Sequence, residues 1–146
     1  MDSLKELAHP IEDWFQQQKK SSDYEFGPPV CIISDFFLGW THNTAAKLGI
    51  PRIMYHPSSA FVVSVIYSLW KYMPHEKVSS NDDTIHIPKV PHPVIFQRYQ
   101  ISRLARPSKR FDPVSEFMRC SMNFNVKFWG TINTFYDLEV IYIDHV

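Results

Sequence analysis

Short apolar runs alternate with helical periodicity in the first half of the chain. Val30 to Ile33 is a continuous apolar run rich in β-branched residues, which is typical of a strand buried on both faces of a parallel sheet. Ile53 to Tyr55 is a second such run. Between them, apolar residues recur at helical spacing from Phe36 to Gly49, and Pro51 prevents the helix from continuing. The pattern predicts the order strand, helix, strand.

Helical patterns also lie on either side of this unit. From Leu4 to Phe15 apolar residues recur every three or four positions, which predicts an amphipathic helix that Pro10 kinks or restarts. The polar stretch from Gln16 to Gly27 predicts a surface loop. Ser58 and Ser59 then open another apolar helix. Strands and helices that alternate with such short connections assemble into parallel sheets, so we predict an α/β fold.

The second half of the chain has a different rhythm. Between Lys77 and Pro113 the prolines stand at positions 88, 91, 93, 107 and 113. They argue against a helix or a central strand, so we predict a long irregular loop that packs through its apolar residues. Asp112 and Pro113 start a helix that Gly130 ends, a short strand follows over 131–135, and Asp137 begins a last helix.

Composition removes several classes of partner. The 146 residues, 45% of them hydrophobic and 15% aromatic, suffice for one folded domain and disfavour disorder. Fifteen basic residues balance fifteen acidic ones, for a net charge of +0. A balanced charge gives no field that would attract nucleic acid or an anionic membrane surface. We therefore expect neither as a partner.

The cysteines and the apolar stretches indicate a compartment. Cys31 and Cys120 lie far apart in a chain that does not begin with a signal peptide. The longest apolar stretch, Ala60 to Tyr67, is far shorter than the roughly 20 residues that span a bilayer. We expect a cytoplasmic protein with reduced thiols and no membrane anchor.

Two polar positions are candidates for chemistry. Asp35 follows a predicted parallel strand, where open α/β sheets bind ligands. Its carboxylate could orient a histidine base in a dyad, or it could cap a helix through the amide of Phe37 or Leu38. Ser58 follows the next strand, where it could meet a phosphate or a sugar, or belong to another cap. On position alone both alternatives stay open.

Other sites lack support in the sequence. The seven histidines have no metal-ligand spacing, so we expect no metal site. Glycine motifs that cradle nucleotide phosphates and the nucleophile elbow of hydrolases are both missing. The aromatic residues could line a pocket for a flat apolar ligand or belong to the core; they are Phe36, Phe37, Trp40, Phe61, Tyr67, Phe96 and Tyr99.

Longer stretches of the sequence resemble a known family. PPVCIISDFFLGWT at 28–41 and AAKLGIPR at 45–52 are similar to the N-terminal domain of plant UDP-dependent glycosyltransferases, family 1, which have the two-domain GT-B fold. DPVSEF at 112–117 and WGTINTFYDLE at 129–139 resemble later segments of that domain. The stretch 87–102 is similar to the branch that glucosylates flavonols and small phenolic acids.

The resemblance implies an inverting transfer of a sugar, glucose in this branch, from a UDP-sugar to a phenolic hydroxyl. A histidine deprotonates the acceptor, and an aspartate, matched here by Asp35, balances the imidazolium. The UDP-sugar is a co-substrate, and no cofactor is implied. Ser58 lies beside the position of a donor-contacting hydroxyl, which Pro57 occupies here.

The resemblance also implies which residues meet the acceptor. Phe36 and Phe37 fall on the acceptor side, together with Phe96 and Tyr99 of the proline-rich segment. No residue of this chain matches the catalytic histidine, which follows the family's first strand.

The expected architecture is a Rossmann-like parallel sheet flanked by helices, an incomplete N-terminal half of a GT-B fold. Residues 1–146 would form part of the acceptor-side domain, with the C-terminal donor-binding domain outside the chain. We expect such a chain to be inactive alone and either monomeric or prone to aggregation through exposed strand edges. Two alternatives remain: a non-catalytic module that binds a small molecule or a protein, and an unrelated α/β domain.

Overall fold

The computed structural model describes residues 6–20, 27–125 and 130–146. The helices and strands are, in chain order, α1 (Ala8–Lys20), β1 (Ile32–Asp35), α2 (Thr41–Leu48), β2 (Arg52–His56), α3 (Ala60–Tyr72), β3 (Thr84–Ile87), β4 (Val94–Gln97), α4 (Pro113–Asn125), β5 (Gly130–Ile132) and α5 (Tyr136–Ile143). The chain forms two compact units. The first comprises the described residues up to Tyr55 and from Ser121 to Thr131, and the second comprises His56–Cys120 and Ile132–Val146.

The predicted order strand, helix, strand is confirmed, but the helix begins at Thr41 and not at Phe36. Strands β1 and β2 pair in parallel, with Ile32 opposite Arg52 and Asp35 opposite Tyr55. Helix α2 joins them, and it ends at Gly49, whose left-handed φ of 70° lets its amide reach the carbonyls of the last turn. The sheet has the order β1-β2-β5.

Strand β1 differs from its prediction in position and burial. It covers Ile32–Asp35 and not Val30 to Ile33, so the aspartate is the last residue of the strand and does not follow it. Burial on both faces is wrong, because Ile33 is 66% exposed. This strand lies at one edge of its sheet, and the described part of the chain leaves the Ile33 face uncovered.

Helix α1 is longer than the sequence pattern indicates. It starts at Ala8, so Pro10 lies in the first turn, where a missing amide proton costs no helical hydrogen bond. It continues to Lys20, and the predicted loop is therefore wrong over 16–20, where glutamine and lysine are good helix formers. Leu4 and residues 21–26 lie outside the described residues.

The predicted starts of two helices are confirmed. The Ser59 hydroxyl accepts a hydrogen bond from the Val62 amide, 3.4 Å away, at the start of α3. Before α4, the Asp112 carboxylate accepts from the Ser115 amide at 2.8 Å, and this bond is the main cause that lowers the pKa of Asp112. Helix α4 is described up to Asn125; positions 126–129 of its predicted course lie outside the described residues.

The segment from Lys77 to Pro113 is more regular than predicted. Strands β3 and β4 form an antiparallel hairpin, with Thr84 opposite Gln97. The prolines at 88, 91 and 93 fall in the connection between the strands, where they remove no ladder hydrogen bond. Ile85 and Ile87 are buried, whereas Thr84 and His86 are exposed. This alternation of apolar and polar residues is the sequence signal for a strand.

Candidate functional site

The Asp35 carboxylate lies at the carboxyl end of β1, in the first unit. Its Oδ1 accepts a hydrogen bond from the Phe37 amide at 2.8 Å. The residues that the structure describes give its Oδ2 no hydrogen-bond partner. This bond closes a tight turn, but α2 begins only at Thr41, so Asp35 is not the N-cap of that helix. One oxygen orients the carboxylate and the other remains available to a polar group.

The turn after Asp35 is fastened by residues from helix α4. The Asn125 side-chain amide donates to the Phe36 carbonyl at 2.7 Å, and the Ser121 hydroxyl donates to the Phe37 carbonyl at 3.0 Å. The two backbones also approach closely, because a Cβ on Gly39 would lie 2.7 Å from the Ser121 Cα. Only glycine fits this approach without movement of one backbone.

A buried arginine adds a second set of bonds to the same turn. Arg52, which is 6% exposed, donates from Nε to the Ser34 hydroxyl at 2.8 Å and from Nη1 to the Asn125 Oδ1 at 2.9 Å. Its Nη2 donates to the Asp35 carbonyl at 3.3 Å. The Ser34 and Thr41 hydroxyls are 2.7 Å apart, which joins the start of α2 to this network.

The two phenylalanines of the turn are unequally exposed. Their ring centroids lie 4.0 Å apart at 33°. Phe36 is buried and Phe37 is half-buried, so Phe37 offers more of its ring to a ligand. Their acceptor-binding roles stay predictions.

The other predicted site residues lie in the second unit. Phe96 is half-buried in β4, and Tyr99 is 49% exposed in the 3-10 turn that follows it. Ser58 precedes α3, and its amide donates to His56 Nδ1 at 3.3 Å. The open depression of about 620 Å³ lined by Glu76 and residues 109–112 contains none of these three residues.

The start of helix α3 is occupied by a carboxylate. Helix α5 kinks at Glu139, whose two oxygens accept from the Ala60 amide at 2.8 Å and the Phe61 amide at 3.2 Å. Burial raises the pKa of Glu139, but the nearby Thr134 and Ser59 hydroxyls and the hydrogen bonds from the two amides outweigh it, so the net pKa is lowered. The amides of the first turn of α3, which the sequence offered as a phosphate contact, are therefore already engaged.

The sequence prediction missed Arg52, Asn125 and Glu139. Arg52 carried a signal, because a charged residue opens an otherwise apolar strand, and charges are rarely buried without partners. No sequence signal marked Asn125 or Glu139, since each bonds to a segment more than seventy positions away.

The described residues contain no group of three or more histidine, cysteine or acidic side chains that could hold a metal ion. No helix in these ranges is long and apolar enough to cross a membrane.

Comparison with known proteins finds close relatives along the whole chain. UDP-glycosyltransferase 89B2 of Stevia rebaudiana is 41% identical over 148 residues, which cover 100% of this chain and 30% of the relative. Flavonol 3-O-glucosyltransferase UGT89B1 of Arabidopsis thaliana is 43% identical over 147 residues, covering 99% of this chain and 28% of the relative. A scan against protein-family models finds no match.

Solved structures give the same result. The crystal structure of Glycyrrhiza uralensis UGT73P12, complexed with glycyrrhetinic acid 3-O-monoglucuronide, matches with a TM-score of 0.72 and 28% identity, covering 99% of this chain and 27% of that one. The chain thus spans about 30% of the length of the curated relatives that it matches. It belongs to the plant UDP-dependent glycosyltransferases, and its α/β fold, predicted from the sequence, is part of their GT-B architecture.

Proposed function

We propose that residues 1–146 form part of the acceptor-side, N-terminal domain of an enzyme that transfers glucose from UDP-glucose to a hydroxyl of a flavonoid or small phenolic acceptor. The family supports the UDP-sugar donor, and the name of the Arabidopsis thaliana relative, a flavonol 3-O-glucosyltransferase, supports the acceptor class. The proposed location of this enzyme is the cytoplasm.

The proposed reaction is an inverting displacement. A histidine from outside these 146 residues takes the proton of the acceptor hydroxyl, and the oxygen attacks the anomeric carbon of the donor. The bond from that carbon to the phosphate oxygen breaks, and UDP leaves with the electron pair. Asp35 accepts a hydrogen bond from the imidazolium and stabilises its charge, as a carboxylate does for a histidine base.

One observation carries this proposal. The Asp35 carboxylate sits at the carboxyl end of a parallel strand, with one oxygen held by the Phe37 amide at 2.8 Å. Its second oxygen has no partner within the described ranges. This second oxygen is where the N–H of an imidazolium could bind.

The aromatic residues supply the proposed acceptor contacts. Phe36 and Phe37 lie directly after Asp35, and the exposed ring of Tyr99 and the half-buried ring of Phe96 belong to the hairpin region. Rings stack favourably on flat phenolic acceptors. Ser58 would contribute its hydroxyl on the donor side.

The chain by itself is expected to show no turnover, because its histidine base and its donor cradle lie outside the 146 residues. Proximity of the reactants supplies much of an enzyme's rate. UDP-glucose mixed with a flavonol and the purified chain should therefore yield no glucoside.

The decisive experiment restores the missing parts. The chain replaces the matching 30% of UDP-glycosyltransferase 89B2, and transfer from UDP-glucose to flavonols is measured. In this hybrid, Asp35→Asn should lower kcat by about 100-fold or more. The matched control Asp13→Asn, on the exposed side of α1, should leave kcat unchanged. Equal rates for Asp35→Asn and the unmodified hybrid would refute the role of Asp35.

Titration of the chain alone with flavonols, followed by tryptophan fluorescence, tests the non-catalytic alternative. Saturable quenching without any transfer by the hybrid would favour a binding module. Transfer by the hybrid excludes a purely non-catalytic role.

A further inference from the structure

Arg52 is buried in the first unit, and the free-energy cost of burying its charge needs an explanation. Its side chain is 6% exposed, and a guanidinium removed from water is expensive unless hydrogen bonds replace its hydration. Apolar side chains of similar volume often stabilise a core as well as a buried charge does. Stability alone is therefore a weak reason for an arginine at this position.

The contacts of Arg52 converge on the Asp35 turn. Three of its nitrogens donate to the Ser34 hydroxyl at 2.8 Å, the Asn125 Oδ1 at 2.9 Å and the Asp35 carbonyl at 3.3 Å. Asn125 extends this network to the residue after Asp35, because its Nδ2 donates to the Phe36 carbonyl at 2.7 Å. The guanidinium thus fixes residues directly before, at and directly after the Asp35 carboxylate.

The strand register explains how one side chain reaches so far. Arg52 pairs with Ile32 across the parallel ladder, three positions before Asp35. The long side chain runs from there to the carboxyl end of β1. Lysine has comparable length but ends in a single ammonium, which cannot place three donors in one fixed plane.

We propose that Arg52 is a positioning residue: through Ser34, Asn125 and the Asp35 carbonyl it sets the direction in which the Asp35 carboxylate points. This inference rests on the proposed role of Asp35 in the transfer. Arg52 touches neither substrate in this scheme, and it acts on the carboxylate through the turn that it holds.

The first test uses the whole chain and a nuclear magnetic resonance signal. The Phe37 amide proton binds the Asp35 carboxylate, so its chemical shift reports the geometry of that hydrogen bond. Arg52→Lys should move this signal. The matched control Lys47→Gln removes a cation that is 61% exposed, and it should leave the signal in place. An unchanged Phe37 signal in folded Arg52→Lys overturns the proposal.

A second variant protects the test against a failure to fold. Asn125→Asp is nearly isosteric and keeps an acceptor for Arg52, but it replaces the donor to the Phe36 carbonyl with an oxygen. It should move the Phe37 signal in the same direction as Arg52→Lys. An unchanged signal in this variant also counts against the proposed relay.

The hybrid enzyme separates positioning from a merely structural role. Arg52→Lys should lower kcat by about 100-fold, the cost of a small misplacement in an active site, while KM for UDP-glucose stays the same. The double variant with Asp35→Asn should be no slower than Asp35→Asn alone, because both changes remove one function. Wild-type kcat in Arg52→Lys, with a displaced Phe37 signal, overturns the positioning role.

The two proposals fail in different ways. If Asp35→Asn keeps full kcat, the proposed function of Asp35 is wrong and the positioning role for catalysis falls with it, whatever the Phe37 signal shows. If Asp35→Asn is inactive and Arg52→Lys is fully active, only the role of Arg52 is wrong.

Discussion

Two carboxylates, Asp35 at the end of β1 and Glu139 within α5, have different surroundings. Asp35 ends β1 and uses one oxygen to accept from an amide two residues away. Glu139 reaches from α5 to the helix that follows β2, where both of its oxygens accept from backbone amides, at 2.8 and 3.2 Å. Glu139 is thus fully engaged as a helix cap. Within the described residues, Glu139 uses both oxygens to stabilise the fold, whereas Asp35 has one oxygen left for another polar group.

The regions around the two carboxylates are held in different ways. The Asp35 turn is fastened by side chains that bond to its carbonyls, from Arg52, Asn125 and Ser121. The start of α3 is fastened by acceptors that bond to its amides, from Ser59 and Glu139. Among the described residues, the first arrangement leaves one Asp35 oxygen without a hydrogen bond, whereas the second engages both oxygens of Glu139.

The largest expected effect is on the close approach at the Asp35 turn. Gly39→Ala would place a Cβ 2.7 Å from the Ser121 Cα and 2.9 Å from its carbonyl oxygen. Because both contacts are with backbone, we expect a loss of about 3 kcal/mol in the free energy of unfolding, measured by urea denaturation. In the matched control Gly130→Ala, the 2.7 Å contact is the flexible end of Met54 and the nearest backbone atom, the Met54 carbonyl oxygen, is 3.3 Å away, so the loss should be smaller, about 1 kcal/mol. Equal losses would contradict the account of the turn.

The next effect contrasts the two carboxylates directly. Glu139→Gln removes the charge that accepts from two amides, and it should cost about 1.5 kcal/mol in urea denaturation. Asp35→Asn keeps an acceptor for the Phe37 amide and should change stability by less than about 0.5 kcal/mol. If Asp35→Asn proves as destabilising as Glu139→Gln, Asp35 is a structural carboxylate as well.

The pH dependence sharpens the assignment of Glu139. Its pKa in the folded chain lies below the ordinary value of 4.5, so the unfolded chain binds its proton more tightly and stability rises with pH in this window. The stability advantage of the wild type over Glu139→Gln should be complete above pH 4.5 and should shrink as the pH falls through the folded pKa. Denaturation from neutral pH down to about pH 3 measures this. An advantage independent of pH would contradict the assignment.

The smallest effect separates two neighbouring serines. The Ser59 hydroxyl accepts from the Val62 amide across 3.4 Å, a long bond, so Ser59→Ala should cost about 0.5 kcal/mol in thermal or urea denaturation. Ser58→Ala should leave stability unchanged and, in the hybrid enzyme, raise KM for UDP-glucose. A loss of stability in Ser58→Ala and a raised KM in Ser59→Ala would contradict these assignments.

Much of the local architecture could be predicted from short stretches of sequence. The parallel strands around α2, the left-handed Gly49 and the helix starts at Ser59 and Asp112 depend on residues within a few positions of one another. Proline frequency does not reveal the hairpin in the proline-rich segment, since the prolines lie in its connection; the alternation at Ile85 and Ile87 indicates it.

The sequence by itself determined the α/β class, the family and the position of Asp35 at a strand end, because these follow from local patterns and from resemblance along the chain. Only the tertiary structure decided which oxygens are engaged. Arg52 and Asn125 stand 73 positions apart, and Glu139 and Ala60 stand 79 apart. No local pattern encodes such pairs, since burial and hydrogen-bond geometry arise only when distant segments pack together.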